Sequence, residues 1–120
     1  DAGLELILEN HFGASAVPAN VARIIAEVDG LGLLYDTHNW AAGLHAEGAT
    51  IGAPLARSVH LKTFHGGDET GIDDEIKVAV DALLTVDYNG CWGVESIARN
   101  GDEYAAVDAA LELLRTMVKQ

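Results

Sequence analysis

The chain has 120 residues, of which 49 % are hydrophobic and 22 % charged, a composition that fits one globular domain and excludes a disordered tail. With 7 basic and 19 acidic residues its formal charge is −12, so it lacks the clustered Lys and Arg that nucleic acid demands, and no nucleic-acid partner is expected. No apolar run approaches the ~18 residues of a membrane helix, the N-terminus has no signal-peptide pattern, and the single Cys91 provides neither a disulfide framework nor zinc-cluster spacing. A cytoplasmic protein without membrane contact is expected.

In chain order, Asp1-Ala2-Gly3 leads almost directly into a first apolar run, Leu4–Glu9, as though the chain began inside a larger unit. A helix follows: Val21, Ile24, Ile25 and Val28 recur at helical spacing, Pro18 suits its first turn, and Gly30 stops it. The second strand is Leu31–Asp36. The stretch from Trp40 to Arg57 is rich in Gly and Ala and predicts a loop with a short helix. The third strand is Ser58–Thr63. Ile76, Val80, Leu83 and Leu84 then mark a helix whose start, Asp73-Asp74-Glu75, places negative charge at the positive end of the helix dipole. After a fourth strand, Cys91–Ser96, a last helix carries the clearest apolar stripe: Tyr104, Val107, Leu111, Leu114 and Val118.

Strands alternating with helices predict right-handed βαβ units and a parallel sheet, and strands mostly apolar along their lengths fit a sheet covered on both faces. A doubly wound nucleotide-binding sheet would carry a Gly-rich first turn, whereas the first strand here ends Glu9-Asn10-His11-Phe12-Gly13. The alternative is a (β/α)8 barrel, which needs eight such units and about 250 residues. Four units make residues 1–120 a single half-barrel domain. Open sheet edges invite association, so completion by a second copy in a homodimer is one expectation and a fragment of a full barrel the other.

Each strand delivers an ionisable residue at or near its C-terminal end: Glu9, Asp36, His60 and Glu95. In a parallel barrel those ends share one rim, so the four could converge on one point. Three carboxylates and an imidazole suit Mn²⁺, Mg²⁺ or Co²⁺, with Zn²⁺ the remaining candidate. Taken singly, each has a plainer reading as a surface carboxylate, a satisfied core histidine or a turn residue.

The segments Leu6–Gly13, Gly32–Asn39, Ser58–Lys62 and Tyr88–Ser96 resemble, in order, the fifth to eighth strands of sugar phosphate isomerases and epimerases in the xylose isomerase-like barrel superfamily. The resemblance spans nearly the whole chain. It implies Glu9, Asp36, His60 and Glu95 as metal ligands, with Glu9 and Glu95 also the acid/base pair of a ketose-epimerase-like reaction. The implied activity is a metal-dependent sugar isomerase or epimerase that removes a proton beside a carbonyl, the cation steadying the enediolate. Its partner is a small-molecule sugar or polyol. Asn39, Lys62 and His11 are candidates for substrate contacts, although Lys62 could instead form a structural salt bridge. Neither His11 nor His38 is expected as a metal ligand, and Trp40 and Phe12 are either an apolar wall or loop packing.

Departures from the pattern are Asn39, where family members often have His, and Thr63, where an Asp commonly follows the Lys. Phe64–Asp74 lacks the Asp-x-His pair of apurinic-site endonucleases, which with the acidic charge disfavours DNA repair. Two alternatives remain: an inosose-type dehydratase, and a truncated or engineered half-barrel that self-associates without turnover.

Overall fold

The computed structural model describes residues 3–66 and 74–118. Asp73, assigned from sequence to a helix start, lies outside the described residues. Four strands, β1 (Leu6–Glu9), β2 (Leu31–Asp36), β3 (Ala56–His65) and β4 (Cys91–Ala98), alternate with four helices, α1 (Pro18–Glu27), α2 (His45–Gly52), α3 (Asp74–Thr85) and α4 (Glu103–Val118). The strands form one parallel sheet in the order β1-β2-β3-β4. This is a small α/β domain with a half-barrel-like fold. No described helix is long and apolar enough to cross a membrane.

Local chemistry accounts for the element boundaries. Pro18 occupies the first turn of α1, where its missing N–H costs nothing, and Gly30 takes a φ of 77° in the turn that leads into β2. Asp74 and Glu75 sit in the first turn of α3, as the dipole favours. In the Gly- and Ala-rich stretch, α2 owes its place to small residues. A Cβ on Gly48 would come within 2.5 Å of the Trp40 indole, and one on Gly52 within 2.8 Å of the Tyr35 ring. Trp40 is therefore core packing, edge-on to Tyr35 at 5.7 Å between ring centroids.

The helices cover one face of the sheet. Leu33, Tyr35 and Val59 pack with Val21, Trp40, Ala53, Ala79 and Leu83, while Leu61 packs with Ile76 and Val80 beside Leu113, Leu114 and Met117. Successive strand residues point to opposite faces, so Leu34, Asp36, His60, Lys62, Gly93 and Glu95 belong to the other, concave face.

Several expectations change. The first strand begins at Leu6, and the third and fourth run on to His65 and Ala98. The strands are not covered on both faces. Leu6 is 69 % and Ile7 42 % exposed on β1, an edge strand with no neighbour beyond it among the described residues. The apolar stripe of the last helix is only partly the packing face. Ala106 and Ala110 are buried, whereas Tyr104, Val107 and Val118 are exposed. The reason is that α4 rests on the sheet through Ala106 and Ala110 and on the Leu61 cluster through Leu113, Leu114 and Met117, and β4 is the other sheet edge.

Candidate active site and metal centre

Register builds the site. Glu9 pairs with Leu34, two residues before Asp36 and on the same face; Asp36 pairs with His60; and Lys62, two beyond His60, pairs with Glu95. The four candidate ligands thus step diagonally across the concave face. Glu9 and Asp36 end their strands, as expected. His60 and Glu95 instead sit mid-strand, because β3 and β4 run on to His65 and Ala98, and the one-residue slip between Leu33 and Leu34 sets His60 opposite Asp36. One ligand atom from each of Glu9, Asp36, His60 and Glu95 lies within 4.8 Å of the other three.

The side chains around this cluster hold it in place. Asn10, fully buried, grips the main chain of Asp36 at both polar groups. Its Nδ2 donates to the Asp36 carbonyl at 2.9 Å, and its Oδ1 accepts from the Asp36 N–H at 2.7 Å. The same Asp36 carboxylate accepts, through Oδ1, the N–H groups of His38 and Asn39 at 2.8 and 3.0 Å. Thr37 continues the clamp, donating its N–H to the His60 carbonyl at 3.0 Å and accepting the Lys62 N–H on its hydroxyl at 3.1 Å. Gly93, opposite His60, leaves the imidazole its space, since a Cβ there would lie 3.0 Å from the His60 ring.

Asn39 donates to Glu9 Oε1 at 3.3 Å and accepts from Lys62 Nζ at 3.2 Å, and the same ammonium lies 3.0 Å from Glu95 Oε1. Lys62 therefore makes the structural ion pair that the sequence left open, while also lining a cavity of about 410 Å³ with Phe12, His38, Asn39, Trp40, Phe64 and Ile97. A cavity of about 510 Å³ lies at the opposite end, among Glu5, Ala56, Arg57 and Tyr88, where the strands begin and where parallel barrels do not place their sites. His11 is not part of the cluster; its ring stands edge-on to Phe12, which is 78 % exposed.

The donor set fits a divalent cation. Asp36 Oδ2 and His60 Nδ1 are buried and have no hydrogen-bond partner among the described residues, and the nearest carboxylate oxygen to His60 Nδ1 is on Glu95 at 3.7 Å. Two buried polar atoms without a partner at one carboxylate cluster are available to a cation. Burial pushes the Asp36 carboxyl up to about 6; the His38 N–H and Lys62 pull it down, and Glu95 and Glu9 add to the rise. A positive ion beside these oxygens would reverse that balance. Sequence reasoning missed Asn10 as a positioning residue. The only local signal was an amide directly after Glu9 at a strand end.

None of the protein-family models searched matches the chain, and a search of curated proteins finds no match either. Among solved structures, the chain is similar to 3-keto-D-glucoside 4-epimerase, YcjR, from E. coli in its apo form. The likeness has a TM-score of 0.72 at 22 % identity and covers 95 % of this chain and 46 % of that one. The chain thus spans about half the length of that epimerase, and the likeness is one of fold.

Proposed function

We propose that this chain supplies the metal-binding half of a xylose isomerase-like barrel, acting as a metal-dependent epimerase or isomerase on a keto sugar or related polyol. The observation that carries the reading is the convergence of Glu9, Asp36, His60 and Glu95 on the concave face. The fold neighbour adds support, because a 4-epimerase of a 3-keto sugar inverts a carbon adjacent to a carbonyl. A hydrogen on such a carbon is acidic enough for a carboxylate base.

The four ligand side chains would hold Mn²⁺, Mg²⁺ or Co²⁺, which supplies Lewis-acid stabilisation of the charge left by proton removal. Glu9 and Glu95 come from the first and last strands, so a sugar carbon between them can lose its proton to one carboxylate and regain one from the other on the opposite side. Lys62 holds Glu95, and Asn39 links Glu9 to Lys62, which fixes both carboxylates. Asn39 and Lys62 also face the cavity, where they meet substrate oxygens.

A second reading rests on the exposed apolar edge. Leu4, Leu6 and Phe12 are 83 %, 69 % and 78 % exposed along and just beyond β1, as in a half-barrel whose edges are covered in the assembled state. A self-associating half-barrel without turnover would share this feature. Light scattering that gives twice the 12.6 kDa chain mass supports closure by a second copy. The decisive assay follows deuterium uptake beside the carbonyl of 3-keto glucosides, ketoses and inososes in D2O with Mn²⁺. Metal-dependent exchange that disappears in Glu95→Gln, with folding intact, is the expected result. Absence of exchange from the assembled protein refutes the enzyme reading in favour of the second.

A further inference from the structure

We propose that His38, His45 and Glu75 form a second metal site, one selective for a transition metal. It shares no residue with the carboxylate cluster and is independent of the proposed activity. His38 lies in the turn after β2, His45 opens α2 and Glu75 stands in the first turn of α3. His38 Nδ1 lies 3.3 Å from Glu75 Oε2, His45 Nδ1 lies 3.2 Å from Glu75 Oε1, and one ligand atom from each residue lies within 4.8 Å of the other two.

The hydrogen-bond chemistry argues for a cation. His45 Nε2 is 3.2 Å from the His38 carbonyl oxygen. That oxygen can only accept, so Nε2 carries the hydrogen, and in the neutral ring Nδ1 turns a lone pair towards a carboxylate oxygen. Two lone pairs at that separation repel, so a proton or a metal ion must lie between them. His38 presents Nδ1 to the other oxygen of the same carboxylate. Protons alone would require an imidazolium at His45 and an Nδ1–H tautomer at His38, whereas one divalent ion satisfies all three donors at once. A backbone carbonyl taking the second ring N–H is also the usual outer support of a metal-bound histidine. The rings are held in place: His38 stands edge-on to Phe64 at 5.2 Å between centroids, and the His45 side chain is only 13 % exposed.

Two imidazoles and one carboxylate suit Zn²⁺, Co²⁺, Ni²⁺ or Fe²⁺, with water completing the shell, and discriminate against Mg²⁺. The carboxylate-rich cluster has the opposite preference. Bound metal would brace the turn after β2, which carries Asn39, against the start of α3.

The test uses Zn²⁺ as the probe on the purified chain, with bound metal measured after equilibrium dialysis. Both His45→Gln and Glu75→Gln are expected to hold one Zn²⁺ per chain fewer than the parent protein. The same Zn²⁺ content in the parent and in both variants overturns the site. Should a variant fail to fold, nitrogen NMR of the histidine rings in the parent decides the question. The Nδ1 signals of both His38 and His45 must move with Zn²⁺, and signals that stay in place overturn the assignment.

Discussion

Asp36 sets the stability of the metal-free fold against the function of the site. The perturbation is Asp36→Asn, which keeps the shape and removes the charge. Asp36 is fully buried, and burial raises its carboxyl from 3.8 to about 6. At about 1.36 kcal/mol for each tenfold change in proton affinity, that rise amounts to about 3 kcal/mol of penalty when the group ionises in the fold. The folded value lies above the unfolded one, so the penalty is absent below pH about 4, grows between about 4 and 6, and is complete above 6. Asparagine keeps an acceptor for the His38 and Asn39 N–H groups, and its amide can donate to the neighbouring carboxylates. In metal-free buffer the variant should therefore be about 1 to 3 kcal/mol more stable than the parent at pH 7.5, and equal to it within about 0.5 kcal/mol at pH 4. Mn²⁺ at a hundredfold excess over its Kd should stabilise the parent by about 2.7 kcal/mol, and the variant much less. Urea unfolding at both pH values, with and without Mn²⁺, measures all four quantities. A pH-independent difference between the two proteins, or equal stabilisation of both by Mn²⁺, would refute the reasoning.

Other predictions follow from the residues around the cluster. Asn10→Ala leaves the Asp36 N–H and carbonyl without their partner and should cost about 2 to 6 kcal/mol in urea unfolding, at about 1 to 3 kcal/mol per buried group; a loss below about 0.5 kcal/mol contradicts the clamp. Gly93→Ala places a methyl 3.0 Å from the His60 ring. It should weaken Mn²⁺ binding about tenfold by calorimetry while changing folding stability by about 1 kcal/mol or less. Unchanged affinity would show that the imidazole does not need that space. Glu95→Gln should abolish substrate deuterium exchange with its unfolding midpoint nearly unchanged, and retained exchange would remove Glu95 from the chemistry.

The order of strands and helices was legible in the residues because it follows from local patterns. Apolar runs such as Leu31–Asp36 and the spacing of Val21, Ile24 and Ile25 need no distant partner to be recognised. The four ligand candidates were legible by chemical type, one at or near each strand end. Their gathering at one point was expected from the shared rim of parallel strands, but the register that achieves it was not, because it depends on pairing between strands distant in sequence and on a one-residue slip at Leu33 and Leu34 that sets His60 opposite Asp36. For the same reason periodicity marked α4 as amphipathic without telling which residues pack. Ala106 and Ala110 face the sheet and Tyr104 faces outward because the sheet ends at β4, a property of the assembled structure. Asn10, and the meeting of His38 and His45 with Glu75, likewise belong to tertiary structure alone. Contacts between distant residues follow no local period, and only the packed chain brings those side chains together.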